Sequence, residues 1–285
     1  MPAGPPRVLV LGAIASVQLG AAFADKLFDR AGPAGVTLLR LAFAAAILLA
    51  LVRPRIRGRS RGDLTRAVVF GLVLGGMNWS FYEALHRLPL GVAVTVEFIG
   101  PMSVAVAGSR RAVDLLWVLL AASGVALLAG NAFNGDLSVV GLLLAVLAGA
   151  CWAAYILASK AVGATFDGLS GLAIALSVGA LFVLPAGLVE GGSALMNVPV
   201  LIGGLLVALL SSLIPYSFEL TALRRLSATS FGLLMSLEPA AAAVAGAVVL
   251  SQRLSATTLA AVGLVVAASI GTTVQGHGAG GPALQ

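Results

Sequence analysis

Long apolar runs constrain this chain of 285 residues more than any other feature. Ten segments of about 18 or more residues carry almost no charge, and short polar connections separate them. A helix of about 20 apolar residues is long enough to cross the hydrocarbon core of a membrane, so each run predicts one span. Because the connections are short, consecutive helices are expected to be antiparallel neighbours. The predicted spans are 8–24, 34–52, 67–85, 90–108, 114–130, 139–159, 169–189, 198–218, 228–250 and 257–274.

The composition excludes a disordered chain and a water-soluble fold. Hydrophobic residues make up 60% of the chain and charged residues 10%, with a mean hydropathy of +1.07. A soluble domain carries about 25% charged residues. The single cysteine, Cys151, excludes a disulfide framework and a cysteine-based metal cluster, and there are two histidines. We therefore expect no metal site and no cofactor.

Lysine and arginine are distributed unevenly among the connections. With the N-terminus inside, cytoplasmic segments hold 12 of the 17 basic residues, external segments hold 4, and Arg40 lies inside a span. This bias predicts that both termini are cytoplasmic. The basic run 53–61 is then expected to lie beside anionic lipid. Binding of nucleic acid by this run is the alternative, and we expect none.

The chain contains an internal repeat. Residues 84–88, with the sequence ALHRL, return as ALRRL at 222–226, and Pro101 matches Pro239 at the same offset of 138 positions. Five spans in each half give the halves opposite orientations, which is typical of secondary transporters. The predicted fold is an all-α integral membrane protein with ten transmembrane helices in a 5+5 inverted-topology repeat. The predicted units are 7–130, 139–274 and a flexible cytoplasmic tail, 275–285. Chance similarity between alanine-rich helices is the alternative.

Glu97 is the most informative polar residue at membrane depth. Pro101 follows it by four positions and has no N–H, so the carbonyl of Glu97 loses its helical donor. Glu238 stands next to the matching Pro239. Transporters place substrate and ion sites at such broken helices. We expect both carboxyl groups to bind substrate and to carry the coupled proton. A packing kink in which Glu97 pairs with Arg40 is the alternative.

Prolines inside the apolar runs predict further breaks. Pro185 should free the carbonyl of Leu181, and Pro215 should free that of Ser211. Glu219 lies near the inner boundary of the eighth span and is expected to be solvated. Helix breaks are predicted at Pro101, Pro185, Pro215 and Pro239.

Other polar residues complete a predicted binding cavity. Arg40 lies inside the second span, where it could bind a substrate carboxylate with two hydrogen bonds, extend to the outer interface or neutralise a glutamate. Asn78 and Tyr82 are four residues apart and share a helix face. Trp152 and Tyr155 of the sixth span are candidates for the same cavity. The predicted substrate-binding residues are Arg40, Asn78, Tyr82, Glu97, Trp152, Tyr155 and Glu238.

Six short motifs are distributed over both halves of the chain. They are GPAGVTLLRL at 32–41, GGMN at 75–78, PLGVAV at 89–94, EFIGP at 97–101, ACWAAYIL at 150–157 and FGLLMSLEP at 231–239. These motifs resemble those of the threonine/homoserine exporters, which belong to the EamA type of the drug/metabolite transporter superfamily. The resemblance runs from about residue 16 to residue 273. It implies a ten-helix carrier of the bacterial inner membrane that exports small amino acids by proton antiport through alternating access.

Six predicted site residues match positions of the family pattern. The chain departs from that pattern after the ninth span, where the family often has Gly-Glu and this chain has Ser251, Gln252 and Arg253. This departure argues against a role for an external acid. The matching residues are Arg40, Asn78, Glu97, Trp152, Tyr155 and Glu238.

The motif content predicts a secondary exporter and not an enzyme. The chain has no Walker A loop, no G-x-S-x-G and no H-E-x-x-H motif, so uphill transport would need an ion gradient. The expected partners are a small polar substrate such as an amino acid, protons and membrane lipid; the sequence assigns no oligomeric state. An exporter of drugs or other metabolites is the first alternative, followed by a non-transport membrane scaffold and a membrane enzyme.

Overall fold

All regular structure in the described residues is helical, which confirms the predicted all-α class. The computed structural model describes residues 5–55, 58–107, 112–133, 137–223, 225–226, 231 and 234–276. Residues 56–57 of the predicted basic run, Arg224 of the predicted repeat and 277–285 of the predicted tail lie outside this part. The helices are α1 Pro6–Val52, α2 Arg61–Leu85, α3 Leu90–Glu97, α4 Ile99–Ala107, α5 Ala112–Phe133, α6 Val139–Gly163, α7 Ser170–Gly191, α8 Val198–Ala208, α9 Ile214–Leu223, α10 Glu238–Val249 and α11 Ala256–Gly276.

The helices have the length and composition of a multi-pass membrane protein. Among the described residues, five helical segments are long and apolar enough to cross a membrane, and four apolar helices are shorter. Large apolar side chains such as Val189 and Met196 lie exposed on the outside of the bundle, where lipid would cover them. The five long segments are Pro6–Val52, Arg61–Leu85, Val139–Gly163, Ser170–Met196 and Val198–Glu219.

Helix α1 joins the first two predicted spans across a kink. Gly32 has φ 65° and ψ 160°, a conformation that favours glycine, and Pro33 follows it. The helix that restarts after the kink has free backbone N–H groups. Glu190, at the end of α7, accepts a hydrogen bond from the amide of Ala34 at 2.6 Å. The kink is therefore stabilised by a carboxylate from the distant half of the chain.

Small residues let the helices pack closely. Helix α1 packs against α7, α8 and α9, whereas α2 packs against α6 and α7. Gly75 of α2 faces Gly179 of α7 so closely that a Cβ on Gly75 would lie 2.9 Å from the Cα of Gly179. Gly35 of α1 and Gly191 of α7 form a similar contact, with 3.2 Å from a Cβ on Gly35 to the Cα of Gly191. Such contacts replace the hydrophobic driving force that is absent between helices in lipid.

Three of the four predicted helix breaks coincide with irregular backbone. The helix interruption at Phe98, between α3 and α4, precedes Pro101 by three residues. A π-helical turn, Leu209–Leu213, precedes Pro215, and Pro239 lies in the first turn of α10. Each proline removes one backbone donor, and each irregularity falls within about one turn of it.

The predicted break at Pro185 is absent. Helix α7 is continuous from Ser170 to Gly191 with Pro185 inside it. Pro185 is exposed, and Leu181, whose carbonyl it would free, is 67% exposed. Both residues lie on the outer surface of the bundle, where a break in the helix would leave further backbone groups unpaired in lipid, so α7 continues through the proline.

Candidate functional site

A cavity of about 170 Å³, here called the central cavity, lies among α1, α2, α3, α6, α9 and α10, and several polar side chains stand in its wall. Helices from both ends of the chain supply its walls, so residues more than a hundred positions apart meet there. Six of the seven predicted substrate-binding residues line it. They are Arg40, Asn78, Glu97, Trp152, Tyr155 and Glu238.

Arg40 is held in this cavity from two sides. Its Nη1 donates to the hydroxyl of Tyr82 at 3.1 Å, and its Nη2 donates to the backbone carbonyl of Ser211 at 3.0 Å. The guanidinium carbon also lies 5.4 Å from the centroid of the Tyr82 ring, within the range of a cation–π contact. None of the described ion pairs includes Arg40. Its positive charge is thus positioned by neutral groups and available to an anion.

Three buried polar atoms lack hydrogen-bond partners in the described part of the chain, and all three belong to residues lining this cavity. They are Oε1 of Gln18, Nε of Arg40 and Oγ of Ser211. Buried polar atoms in proteins are nearly always paired. Their concentration around one cavity indicates the position of a polar ligand.

Tyr82 supports Arg40 from behind. It has 0% of its surface exposed and is not part of the cavity wall. Its ring packs against Phe28 at 5.4 Å and Phe81 at 6.0 Å between centroids. Tyr82 therefore lies behind Arg40 and outside the cavity wall, and its direct contact with a substrate stays a prediction.

Three carboxyl groups line the cavity together with Arg40, which carries the one guanidinium among the described lining residues. Glu97 is 8% exposed and Glu238 is 5% exposed, and neither forms an ion pair with a described residue. Glu219, which the sequence predicted to be solvated, is half-buried and also lines the cavity. The ion pair between Glu97 and Arg40, which the sequence offered as the alternative, is not formed, although both residues line this cavity.

Close helix packing positions Glu97. Helix α3 ends at Glu97, and the backbone carbonyl of this residue lies against Gly149 of α6. A Cβ on Gly149 would come within 2.7 Å of that carbonyl oxygen, closer than real Cβ contacts. Glycine at 149 is therefore required for α6 to approach the helix break that carries Glu97.

The cavity also has an aromatic and amide wall. Trp152 packs edge-on against Phe98 at 5.8 Å, and Tyr155 lies 5.1 Å from Phe70 between ring centroids. Asn78 donates from Nδ2 to the carbonyl of Leu74 at 2.8 Å. This wall combines flat apolar surfaces with amide and hydroxyl groups, which suits a small ligand with both characters.

Sequence reasoning missed part of this wall. Met77, Phe81 and Met235 line it, but apolar residues in an apolar helix give no sequence signal. Ser211 had a partial signal, because Pro215 four positions later frees its carbonyl. The structure adds that Arg40 is the donor to that carbonyl.

The helices and the cavity define a multi-pass membrane protein built around a cavity that polar side chains line. A model of the EamA-like transporter family matches residues 139–274. The threonine/homoserine exporter RhtA of Escherichia coli K12 is 44% identical over 276 residues, which cover 96% of this chain and 93% of that protein. RhtA of Salmonella typhimurium LT2 is 42% identical over the same shares. The chain belongs to the EamA-like transporter family, and the prediction of a transporter and not an enzyme is confirmed.

A solved crystal structure shows the same fold. It has 18% sequence identity and a TM-score of 0.62, and the match covers 92% of this chain and 95% of the other. At that identity the match concerns the fold alone.

Proposed function

We propose that this protein exports a small zwitterionic amino acid of the threonine or homoserine type in exchange for protons. The observation that carries the proposal is Arg40, whose guanidinium is fixed in the central cavity with Nε buried and unpaired. A guanidinium recognises a carboxylate by parallel hydrogen bonds. Relatives that are 42–44% identical to this chain over 93% of their own length are named threonine/homoserine exporters, which supports this cargo.

Other residues that line the cavity provide for the remaining groups of such a cargo. Glu97 and Glu238 offer carboxylate oxygens to an ammonium group. The amide of Asn78 and the phenol of Tyr155 are suited to a side-chain hydroxyl. The cation and the acids lie on one cavity, as a zwitterion requires.

Glu97 and Glu238 are the proposed proton carriers. A charged carboxylate at membrane depth is costly unless it has a partner. A cargo ammonium group and a proton would both satisfy these carboxylates, so the two would compete for them. Such competition links the release of one to the binding of the other, which gives exchange.

The proposed architecture is ten transmembrane helices in a 5+5 inverted repeat. The family model covers 139–274, the range of the second proposed unit, which leaves 7–130 as the first. A two-fold axis between the halves would make α3 equivalent to α10 and α5 equivalent to α11, and equivalent helices near the axis should touch. The same axis would make the contact between α2 and α6 equivalent to the contact of α1 with α8 and α9. All of these pairs are in contact, which supports the repeat.

The proposed location is the bacterial inner membrane with both termini in the cytoplasm, from the excess of basic residues in alternate connections. A reporter joined after Gln285 should be active only as a cytoplasmic reporter. Alkaline phosphatase activity at that position would contradict the proposed ten spans.

A second candidate cargo follows from the aromatic side of the cavity. Phe81, Trp152 and Tyr155 could hold a lipophilic cation against the acids, as a drug exporter would. Arg40 disfavours such a cargo, because its charge has the same sign and no described carboxylate within 4.0 Å.

Purified protein in proteoliposomes tests the proposal directly. Radiolabelled threonine should accumulate when an imposed pH gradient drives protons the opposite way, and an uncoupler should abolish the accumulation. Transport of a lipophilic cation without transport of threonine or homoserine would replace the proposal by drug export. Absence of all transport by folded protein would favour a membrane scaffold.

A further inference from the structure

A second cavity adjoins the central one. Its volume is about 340 Å³, and it lies among α2, α6, α7, α9 and the 164–169 turn. Two of its lining residues, Tyr155 and Glu219, also line the central cavity. These two residues therefore form the boundary through which a ligand would pass from one cavity to the other. We call the second cavity the vestibule.

The vestibule lies toward the side assigned to the cytoplasm. Its far wall includes Phe166, in the turn between α6 and α7 that the proposed topology places inside. Arg59 of the basic segment contacts this turn: its guanidinium carbon lies 4.9 Å from the centroid of the Phe166 ring, and Nη2 is 3.4 Å from the carboxylate of Asp167. Arg59 also donates to the carbonyl of Thr165. The positive charge of the rim is thus engaged outside the vestibule.

The walls of the vestibule are suited to a cationic group of a ligand. Aromatic and aliphatic side chains form most of the surface, with the hydroxyls of Tyr155 and Ser159 among them. Glu219 carries the one carboxylate among the described lining residues. None of the described ion pairs includes it. Apolar walls strengthen the attraction of a carboxylate for a cation.

We propose that the vestibule is an entry site that binds the amino-acid cargo from the cytoplasm through its ammonium group at Glu219. The cargo then passes Tyr155 and reaches Arg40 with its carboxylate in the central cavity. This inference rests on the proposed amino-acid export. It adds a first binding position and assigns Glu219 to the affinity for cytoplasmic cargo, distinct from the coupling at Glu97 and Glu238.

Membrane vesicles of the two orientations test this assignment. Inside-out vesicles present the cytoplasmic face, and right-side-out vesicles present the outer face, to radiolabelled threonine. Glu219→Gln should raise KM at the cytoplasmic face by about tenfold or more, the scale of a lost hydrogen bond to a charged group. KM at the outer face and the dependence on the pH gradient should remain nearly unchanged. Glu219→Asp, which keeps the charge, should recover most of the affinity.

Asp167→Asn is the matched control. It removes a fully exposed carboxylate from the rim of the vestibule without touching the cavity wall, so KM should stay at the wild-type value. An unchanged cytoplasmic KM in Glu219→Gln would overturn the entry site. An equal rise of KM at both faces would assign Glu219 to the central cavity alone. Loss of pH coupling at an unchanged KM would make Glu219 a proton carrier. Either result overturns the inference. Failure of wild-type protein to transport threonine would instead reject the proposed function.

Discussion

Arg40 donates a hydrogen bond at 3.0 Å to the backbone carbonyl of Ser211, 171 positions later in the chain. In a regular helix that carbonyl would accept from residue 215, but Pro215 has no N–H. The π-helical turn Leu209–Leu213 carries the carbonyl toward the cavity. Such turns are frequent at functional sites. One missing backbone donor in the second half of the chain thus orients a cation from the first half.

The hydrogen bond from Arg40 to Tyr82 leaves the positive charge of the guanidinium available to a ligand. Tyr82 accepts from Nη1, and Nε has no partner. Two neutral acceptors fix the plane of the guanidinium without cancelling its charge. A carboxylate paired with Arg40 would have neutralised the guanidinium. No described ion pair includes Arg40, which is consistent with recognition of an anion from outside the protein.

Two substitutions of Arg40 distinguish the contribution of its charge from that of its planar hydrogen-bonding geometry. Arg40→Ala should abolish threonine transport, because the cargo carboxylate then lies in the membrane interior without a cation. Arg40→Lys keeps the charge but cannot bond Tyr82, Ser211 and a carboxylate together in one plane, so KM should rise by about tenfold or more. Initial rates against threonine concentration in proteoliposomes measure both effects. Wild-type KM in Arg40→Lys would reject the planar arrangement.

Tyr82→Phe removes only the hydroxyl that accepts from Arg40. The ring and its contacts with Phe28 and Phe81 remain, so the thermal stability in detergent should change little. KM for threonine should rise by about threefold to tenfold, the scale of a hydrogen bond of about 1 kcal/mol. A rise of that size with an unchanged melting temperature identifies a positioning residue, whereas a fall in melting temperature alone would assign Tyr82 to packing.

The all-α class and the five long apolar helical segments were predictable from the sequence because lipid imposes a simple rule. Every stretch that crosses the hydrocarbon must be apolar for about 20 residues, and this rule leaves a strong pattern. The kink at Gly32 was not predicted, since its stability depends on Glu190, which lies 156 positions away from Ala34. The break predicted at Pro185 was wrong: α7 continues through this exposed residue, where a break would leave further backbone groups unpaired in lipid.

The candidate site was predictable where a polar residue stands out against an apolar background. Arg40, Glu97 and Glu238 were visible for that reason. The distinction between Tyr82 behind Arg40 and Tyr155 on the wall depends on side-chain direction in three dimensions. Glu219 was misjudged from its distance along the span, since the structure places it on both cavities.

Glu97→Gln tests proton coupling at nearly constant shape. The amide cannot exchange a proton, so uphill threonine transport driven by a pH gradient should be lost. Threonine–threonine exchange at equal pH should persist, because Arg40 and the remaining walls still bind the cargo. The same pair of assays on Glu238→Gln shows whether the two acids share the proton. Preserved pH-driven accumulation in well-folded Glu97→Gln would exclude this carboxyl from coupling.

The contact between Gly149 and the carbonyl of Glu97 predicts a steric effect on the site. A Cβ at 149 would lie 2.7 Å from that oxygen, so Gly149→Ala must push α6 away from the helix break. Overpacking of this kind costs about 1–3 kcal/mol. We expect a lower melting temperature in detergent and a reduced threonine transport rate, because Trp152 and Tyr155 of the same helix move with it.

Gly263→Ala provides the comparison. Gly263 lies inside α11, and a Cβ there would meet nothing within 4 Å, so the change should raise helix stability by about 0.5–1 kcal/mol. Transport should remain at the wild-type level. If Gly149→Ala matched Gly263→Ala in both melting temperature and transport, the close approach of α6 to Glu97 would not be what positions the carboxyl group in the cavity.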